Sequence, residues 1–478
     1  MSALWAFLAI AMPVLASLLG TLSTVDLAYH LRAGGQFLDT GVIPTTDTYT
    51  FTVEGQSWLN QQWGAQALLA SVHRFAGWTG LVVLRAALVG AIVALVFSAV
   101  RRQGVAVRPA ALLTIAAFAV ASVAMALRPQ LFGMALFALV LLLVVERRRH
   151  PRLLWAIPPI VLIWANLHGS FFLGPAVLGL AWLADLHDRV PGAHRTLAVA
   201  VVAALAAMVN PFGPSIWIYA AGLTTNPAVT ERVTEWRPTS IRSASGLAFF
   251  ASSLVLVAAL VRRARPVPWP ALLWFAAFFL IGAWAVRGAA WWPIAAAVGF
   301  AGLLGSGFLG SGAPGEAPRA VALGGRRPAN ALIALVLVVA GVALLPVWRP
   351  TVPGLDAPAG VLQQAPPGIT AALQDAARDG DRIYLPQAWA SWIEFAVPQS
   401  TVVLDSRFEL FSEPLWQAYV NVSRGLPGWP EQLDAWGVTL IVVASEQPGG
   451  LLEQLLEHPG WRAIHRDADG IVLARVDR

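Results

Sequence analysis

Only 12% of the residues in this 478-residue chain are charged. An ionisable side chain at or inside an apolar segment is costly unless it is paired or wet, so each such residue is a candidate for chemistry. Asp26, Arg85, Arg128, His168 and Arg287 all sit at or near the end of an apolar run, and the alternation of those runs predicts that they share one membrane face. Arginine suits bidentate contact with phosphate, and a partly buried carboxylate can take a proton from an attacking hydroxyl. The set therefore predicts a pocket for a lipid phosphate or pyrophosphate, with Asp26 as base, Arg128 and Arg287 holding the phosphate, and Arg85 and His168 beside them. His30 joins the substrate-binding candidates, and Asp47 is the candidate second carboxylate, for an acceptor or a divalent cation. Each has a plainer alternative: helix capping for Asp26, packing for His168, and snorkelling or interhelix pairing for Arg128 and Arg287.

The residues that must position these groups are overwhelmingly apolar. Hydrophobic side chains make up 57% of the chain and the mean hydropathy is +0.66, outside the balance of a soluble globular protein. The 32 basic residues are all arginine, in short clusters between apolar runs instead of along one basic face, which argues against a nucleic-acid partner. With no cysteine, disulfides, thiolate metal sites and a cysteine nucleophile are excluded. The N-terminal apolar run lacks the positive start of a signal peptide and is read as a retained first span.

Crossing the hydrocarbon takes about 20 mostly apolar residues, and on that measure about eleven transmembrane helices are expected. They run near Leu4–Thr24, Thr79–Val100, Ala110–Leu127, Leu131–Val145, Leu153–Leu167, Phe171–Leu186, Thr196–Asn210, Leu247–Val261, Trp269–Val286, Trp291–Phe308 and Ala331–Val347. Arginines at 101, 102 and 108, at 147 to 149 and 152, at 189 and 195, at 262, 263 and 265, and at 319, 326 and 327 occupy every second loop. The positive-inside rule makes those loops cytoplasmic, with the N-terminus inside and the C-terminal region outside.

Between the first two spans lies the polar stretch Thr24–Trp63. Tyr29–Leu38 reads as an interfacial amphipathic helix ended by Gly41, and Trp58–Ala76 as a second, so that the two flank Asp47 and Glu54. The expected domains are a membrane domain over 1–348 with an outer loop at 25–78, a Pro-rich linker over 349–368, and a small α/β or α+β domain over 369–478. In that last domain RIYL, STVVLD and TLIVVA read as strands, and Asp469-Gly470 as a hairpin turn. Asp405, Arg407 and Glu409 lie just past a strand end, where they either contact a ligand or form a salt-bridged loop.

The order of parts resembles the GT-C superfamily of polytopic membrane glycosyltransferases, which includes the protein mannosyltransferases and the lipid A aminoarabinose transferases. The whole chain is similar to a bacterial group of GT-C-like membrane proteins in DLAYHLRAGGQFLDTGVIPTTDTYTFT, GQSWLNQQW, ALRPQLFGMALFALVLLLVVERRR, WANLHGSFFLG, VNPFG, EWRP and VVLDSRFELFSEPLWQAYV. The resemblance implies an all-α polytopic membrane domain with an extracytoplasmic α/β domain, in a bacterial cytoplasmic membrane. It further implies transfer of a sugar from a polyprenyl-phosphate donor to a glycan, lipid or protein acceptor, by inversion, with the acid at the end of the first span as base. Where many of those transferases carry an acidic pair, Asp26 is followed by Leu27, and Gln61-Gln62-Trp63 stands where relatives place an acid before Trp. A non-catalytic scaffold, or a protein that binds or flips a lipid-linked glycan, is the alternative.

Overall fold

The computed structural model describes residues 2–223, 234–305, 308–309, 328–446 and 450–478, so that Arg319, Arg326 and Arg327 of the charge pattern lie outside the described residues. The chain divides into two compact units: a membrane unit reaching to Gly20 and taking in Val82 to 223 and 234 to Leu345, and an α/β unit of Thr21–Leu81 with Pro346–Arg478.

Every expected span has a helix among the described residues. Among the described residues six helices are long and apolar enough to cross a membrane: α1 (Ser2–Leu19), the helix α3 (Trp63–Arg102) that follows α2 (Thr24–Thr40), and those at Val107–Ala124, Pro129–Glu146, Gly169–His187 and Ala244–Val261. Shorter apolar helices occupy Pro151–Leu167, His194–Ala206, Trp269–Trp284 and Pro328–Ala343, and another runs from Trp292 to Leu304. Pro129–Glu146 is the inner helix of the membrane unit, 72% buried along its apolar window where α1 is 17%. It is apolar on all sides, as a helix enclosed by others must be. Its Phe137 meets Phe278 at 5.6 Å and Trp291 at 5.3 Å. At the arginine-rich end Arg147 departs from the expected exposed charge: it is buried, with Nε 3.0 Å from Asp185, which also accepts from Arg148 at 2.7 Å and Thr196 at 3.1 Å.

The α/β unit is built on a five-stranded sheet. Thr351–Val352 (β2) and Ala357–Pro358 (β3) pair with each other, and Leu362–Gln363 (β4) pairs in parallel with Leu22–Ser23 (β1). The main sheet comprises Arg382–Tyr384 (β5), Thr401–Val402 (β6), Leu440–Ala444 (β7), Trp461–Arg466 (β8) and Gly470–Arg475 (β9), in the order β6-β5-β7-β9-β8. β6, β5 and β7 are parallel, and β7-β9 and β9-β8 antiparallel. The three apolar runs are therefore the strands expected, and Asp467 accepts from the backbone of Asp469 and Gly470 to close the hairpin.

Two features define the extent of this unit. The segment 349–368 contains β2, β3 and β4, and the stretch placed in an outer loop folds with the C-terminal residues. Helix α2 lies against the helix Gln387–Ala396: Leu27, Ala28 and Leu31 are buried on one side, and Trp392 and Ile393 on the other. Arg32 donates to the Glu394 carbonyl at 2.6 Å, and Ser406 donates to the Val25 carbonyl at 2.8 Å. Gly41 ends α2 in the left-handed region at φ 70°, as its place in the sequence requires. Gly34 permits the close approach of α2 to the start of α3, where a Cβ would lie 2.1 Å from the Gln66 carbonyl oxygen. Helix α3 begins at Trp63 and breaks at Gly77, whose φ of 58° and ψ of −157° suit glycine.

Candidate functional site

In the membrane unit, Arg128 and Arg287 come together on one carboxylate. Arg128 precedes Pro129 and is held extended, because a residue before proline is pushed out of the helical region. Arg287 lies in the 3-10 turn Val286–Ala290, and Glu235 in the short turn Thr234–Trp236. Arg128 Nη1 stands 2.6 Å from Glu235 Oε1, and Arg287 Nη2 stands 3.1 Å from Oε2. Gln130 donates to the Arg287 carbonyl at 3.4 Å, and the Arg287 guanidinium lies 5.5 Å from the Trp236 ring centre.

These groups, with Ser245 and an apolar wall that includes Val120 and Phe249, line a pocket of about 150 Å³. Both cations meet the one carboxylate of Glu235, and among the described residues Arg287 Nε is buried with no hydrogen-bond partner. A planar guanidinium pair of this kind can take an oxyanion in bidentate fashion. Sequence reasoning did not single out Glu235. Its signal was the segment EWRP, whose acidic residue has no role until Arg128 and Arg287 are seen beside it.

Arg85 and His168 are anchored elsewhere in the same unit. Arg85 is 4% exposed and donates to the carbonyls of Ser17 and Gly20 at 2.5 Å each, at the end of α1 where the helix leaves carbonyls short of partners. His168 caps a short 3-10 turn: its Nδ1 accepts from the Ser170 backbone at 3.1 Å and meets Ser170 Oγ at 2.7 Å, while Trp164 Nε1 donates to the same hydroxyl at 3.1 Å.

The α/β unit holds the other candidates. α1 stops at Leu19, and Asp26 lies in the first turn of the separate helix α2, half-buried, where the helix dipole favours a carboxylate. His30 is buried one turn further on, its Nδ1 3.3 Å from Gln66, which exchanges two 2.7 Å hydrogen bonds with Asn60. Asp47 is fully buried: it accepts from Thr50 Oγ1 at 2.7 Å and is ion-paired with Arg407. Arg407 is also held by Asp405, Nε to Oδ2 at 2.7 Å, so that the Asp405–Arg407 segment forms the salt-bridged loop. Its guanidinium lies 4.7 Å from the ring centres of both Tyr49 and Trp58. The Asp47 carboxylate thus meets the positive charge of an arginine where the sequence offered a divalent ion or an acceptor. Among the described residues, no group of three or more His, Asp or Glu side chains could hold a metal ion.

Glu394 completes this cluster and has no sequence signal beyond its place on an amphipathic helix. It is fully buried, and neither carboxyl oxygen has a hydrogen-bond partner. Burial, then the charge of Asp405, pushes its carboxyl well above the usual range against the pull of Arg407 and Arg32. Burial alone would lower the Arg407 guanidinium, but the charges of Asp405 and then Asp47 outweigh it and hold it above the ordinary arginine value. Two cations, Arg32 and Arg407, face Asp47 and Asp405, and the upward shift favours the protonated form of Glu394.

No protein-family model matches the chain, and no curated protein matches it in sequence. Solved structures do share its fold. The oligosaccharyltransferase of Archaeoglobus fulgidus tethered to an acceptor peptide superposes with a TM-score of 0.54 at 12% identity, over 99% of this chain and 74% of that one. The same archaeal enzyme, AglB, in complex with an inhibitory peptide and a dolichol-phosphate, gives 0.54 at 12% identity over 98% and 74%. ArnT from Cupriavidus metallidurans, bound to undecaprenyl phosphate, gives 0.53 at 16% identity over 98% and 97%. The chain therefore has the fold of these two enzymes, the GT-C fold that the sequence resemblance implies.

Proposed function

We propose that the chain is a membrane glycosyltransferase that moves a sugar from a polyprenyl-phosphate-linked donor to an envelope acceptor on the outer face of the cytoplasmic membrane. The observation that carries this reading is the pair Arg128 and Arg287 lining one pocket around Glu235, in a fold whose solved examples were captured with polyprenyl phosphates. In this mechanism the donor phosphate takes the place of the Glu235 carboxylate on the two arginines. Asp26 takes the proton of the acceptor hydroxyl, the freed oxygen bonds to the anomeric carbon, and the carbon–oxygen bond to phosphate breaks. The leaving phosphate keeps the electron pair, neutralised by Arg128 and Arg287, and attack opposite the leaving group inverts the sugar. Arg85, His168 and His30 act as positioning residues, and Asp47 acts through Arg407 to hold the loop that follows α2.

The test is transfer from a labelled polyprenyl-phosphate sugar by the purified chain in lipid nanodiscs. Asp26→Asn is expected to lower turnover by about 10²–10⁴-fold with donor binding retained. Arg128→Gln combined with Arg287→Gln is expected to lose donor binding. Unchanged transfer by Asp26→Asn refutes the base. Stoichiometric donor binding without turnover in the unaltered chain would favour the scaffold reading, which the single acid at Asp26 supports.

A further inference from the structure

The arginine-rich end of the membrane unit carries a second hollow, of about 910 Å³, that the transfer reaction does not use. Its polar lining includes Arg101 and Arg102 from the end of α3, Arg149 and Arg152 beyond the end of the Pro129–Glu146 helix, and Glu146 between them. Among the described lining residues, four arginines face one carboxylate. Glu146 does not neutralise them closely: its carboxyl is buried, Arg102 Nε, Arg149 Nη1 and His150 Nε2 stand 3.8, 4.0 and 3.7 Å away, and Oε1 has no hydrogen-bond partner. Arg102 and Arg152 are exposed. Apart from Ser98 and His150 the remaining wall is apolar, with Phe97, Leu142 and Leu143 on the helix faces and Leu153 42% exposed beside it. Trp155, 50% exposed just beyond, has the amphipathic character of a side chain at headgroup level.

A crown of under-neutralised arginines above an apolar wall matches one class of ligand, a phosphodiester carrying acyl chains. We infer that this hollow is a binding site for an anionic phospholipid, with the headgroup phosphate among Arg101, Arg102, Arg149 and Arg152 and an acyl chain along Phe97, Leu142 and Leu143. The site is independent of the transferase reading, since it shares no residue with the Arg128–Glu235–Arg287 pocket.

The experiment titrates the full chain in neutral detergent with phosphatidylglycerol, phosphatidylcholine or inorganic phosphate, scoring bound lipid by native mass spectrometry and the shift in melting temperature. Phosphatidylglycerol is expected to bind and the other two probes not. Each arginine beside an anionic headgroup is worth about fivefold in affinity, so Arg102→Gln with Arg152→Gln should weaken binding roughly 25-fold. The matched pair Arg262→Gln with Arg265→Gln, exposed arginines at another loop, should leave it unchanged. Equal losses in both pairs would mean diffuse charge attraction, and equal binding of inorganic phosphate would mean a free-anion site; either overturns the inference. If the first pair fails to fold, a photoactivatable phosphatidylglycerol decides on the unaltered chain. Crosslinks within 97–102 and 142–153 are expected, and crosslinks only elsewhere overturn the site.

Discussion

Replacing Glu394 with glutamine tests the protonated carboxyl at the centre of the α/β unit. The ionised form of Glu394 would be a third anion in a dry cluster whose two arginines are already matched by Asp47 and Asp405. Its folded value is raised well above the ordinary 4.5, so the stability it gives is fully present below that value and is lost as pH rises towards the folded value. Within that window one titrating proton costs at most about 1.4 kcal/mol per pH unit. At about 2–4 °C per kcal/mol for a body of 150–250 residues, that limit corresponds to a relative shift of roughly 3–5 °C per pH unit. The amide introduced by Glu394→Gln carries no titrating proton, so the stability difference should move steadily in the variant's favour between pH 5 and pH 7, whatever constant offset the buried amide introduces. The assay is thermal unfolding of the full chain in detergent at pH 5, 6, 7 and 8, followed by tryptophan emission, to which Trp58, Trp78 and Trp392 contribute from within the same unit. A difference between the two proteins that is the same at every pH would refute a protonated Glu394.

Three further outcomes follow from the same geometry. Arg407→Met leaves Asp47 and Asp405 buried without their shared cation and should cost about 3–5 kcal/mol in urea or thermal unfolding, whereas a loss under about 1 kcal/mol would mean that the cluster is wet. Glu235→Gln removes the anion that competes for Arg128 and Arg287 and should tighten binding of a lipid phosphate by on the order of tenfold, read by titration calorimetry; weaker binding would make Glu235 a positioning residue for the arginines. Gly34→Ala forces a methyl against the Gln66 carbonyl and should destabilise the contact between α2 and α3 by about 1–3 kcal/mol or more, measured by amide exchange across 24–40, and unchanged exchange would refute that tight packing.

Much of this architecture can be read locally. Gly41 stops α2 because the left-handed turn it adopts costs other residues energy, and that constraint lies within the helix it ends. The runs RIYL, STVVLD and TLIVVA become strands because they are rich in residues that suit a pleated, half-buried surface. The Asp405–Arg407 bridge was legible as an alternative because its partners are two residues apart. Glu235, Glu394 and the engaged state of Asp47 were not, since a carboxylate's role depends on which cation the fold brings to it.

The sequence by itself determined an apolar helix at each expected span among the described residues, the arginine-rich loops between them and the strands and hairpin of the C-terminal region. Those features answer to local rules: a span must match the thickness of the hydrocarbon, and a strand must suit a sheet. Only the tertiary structure decided that the residues after the first span fold with the C-terminal region, joining Asp47 to Arg407 across 360 positions and pairing Leu22–Ser23 with Leu362–Gln363. Only it set Arg128 and Arg287 on Glu235. Buried charges have no preferred spacing along the chain; they are stable only where distant segments deliver the opposite charge to a place that water does not reach.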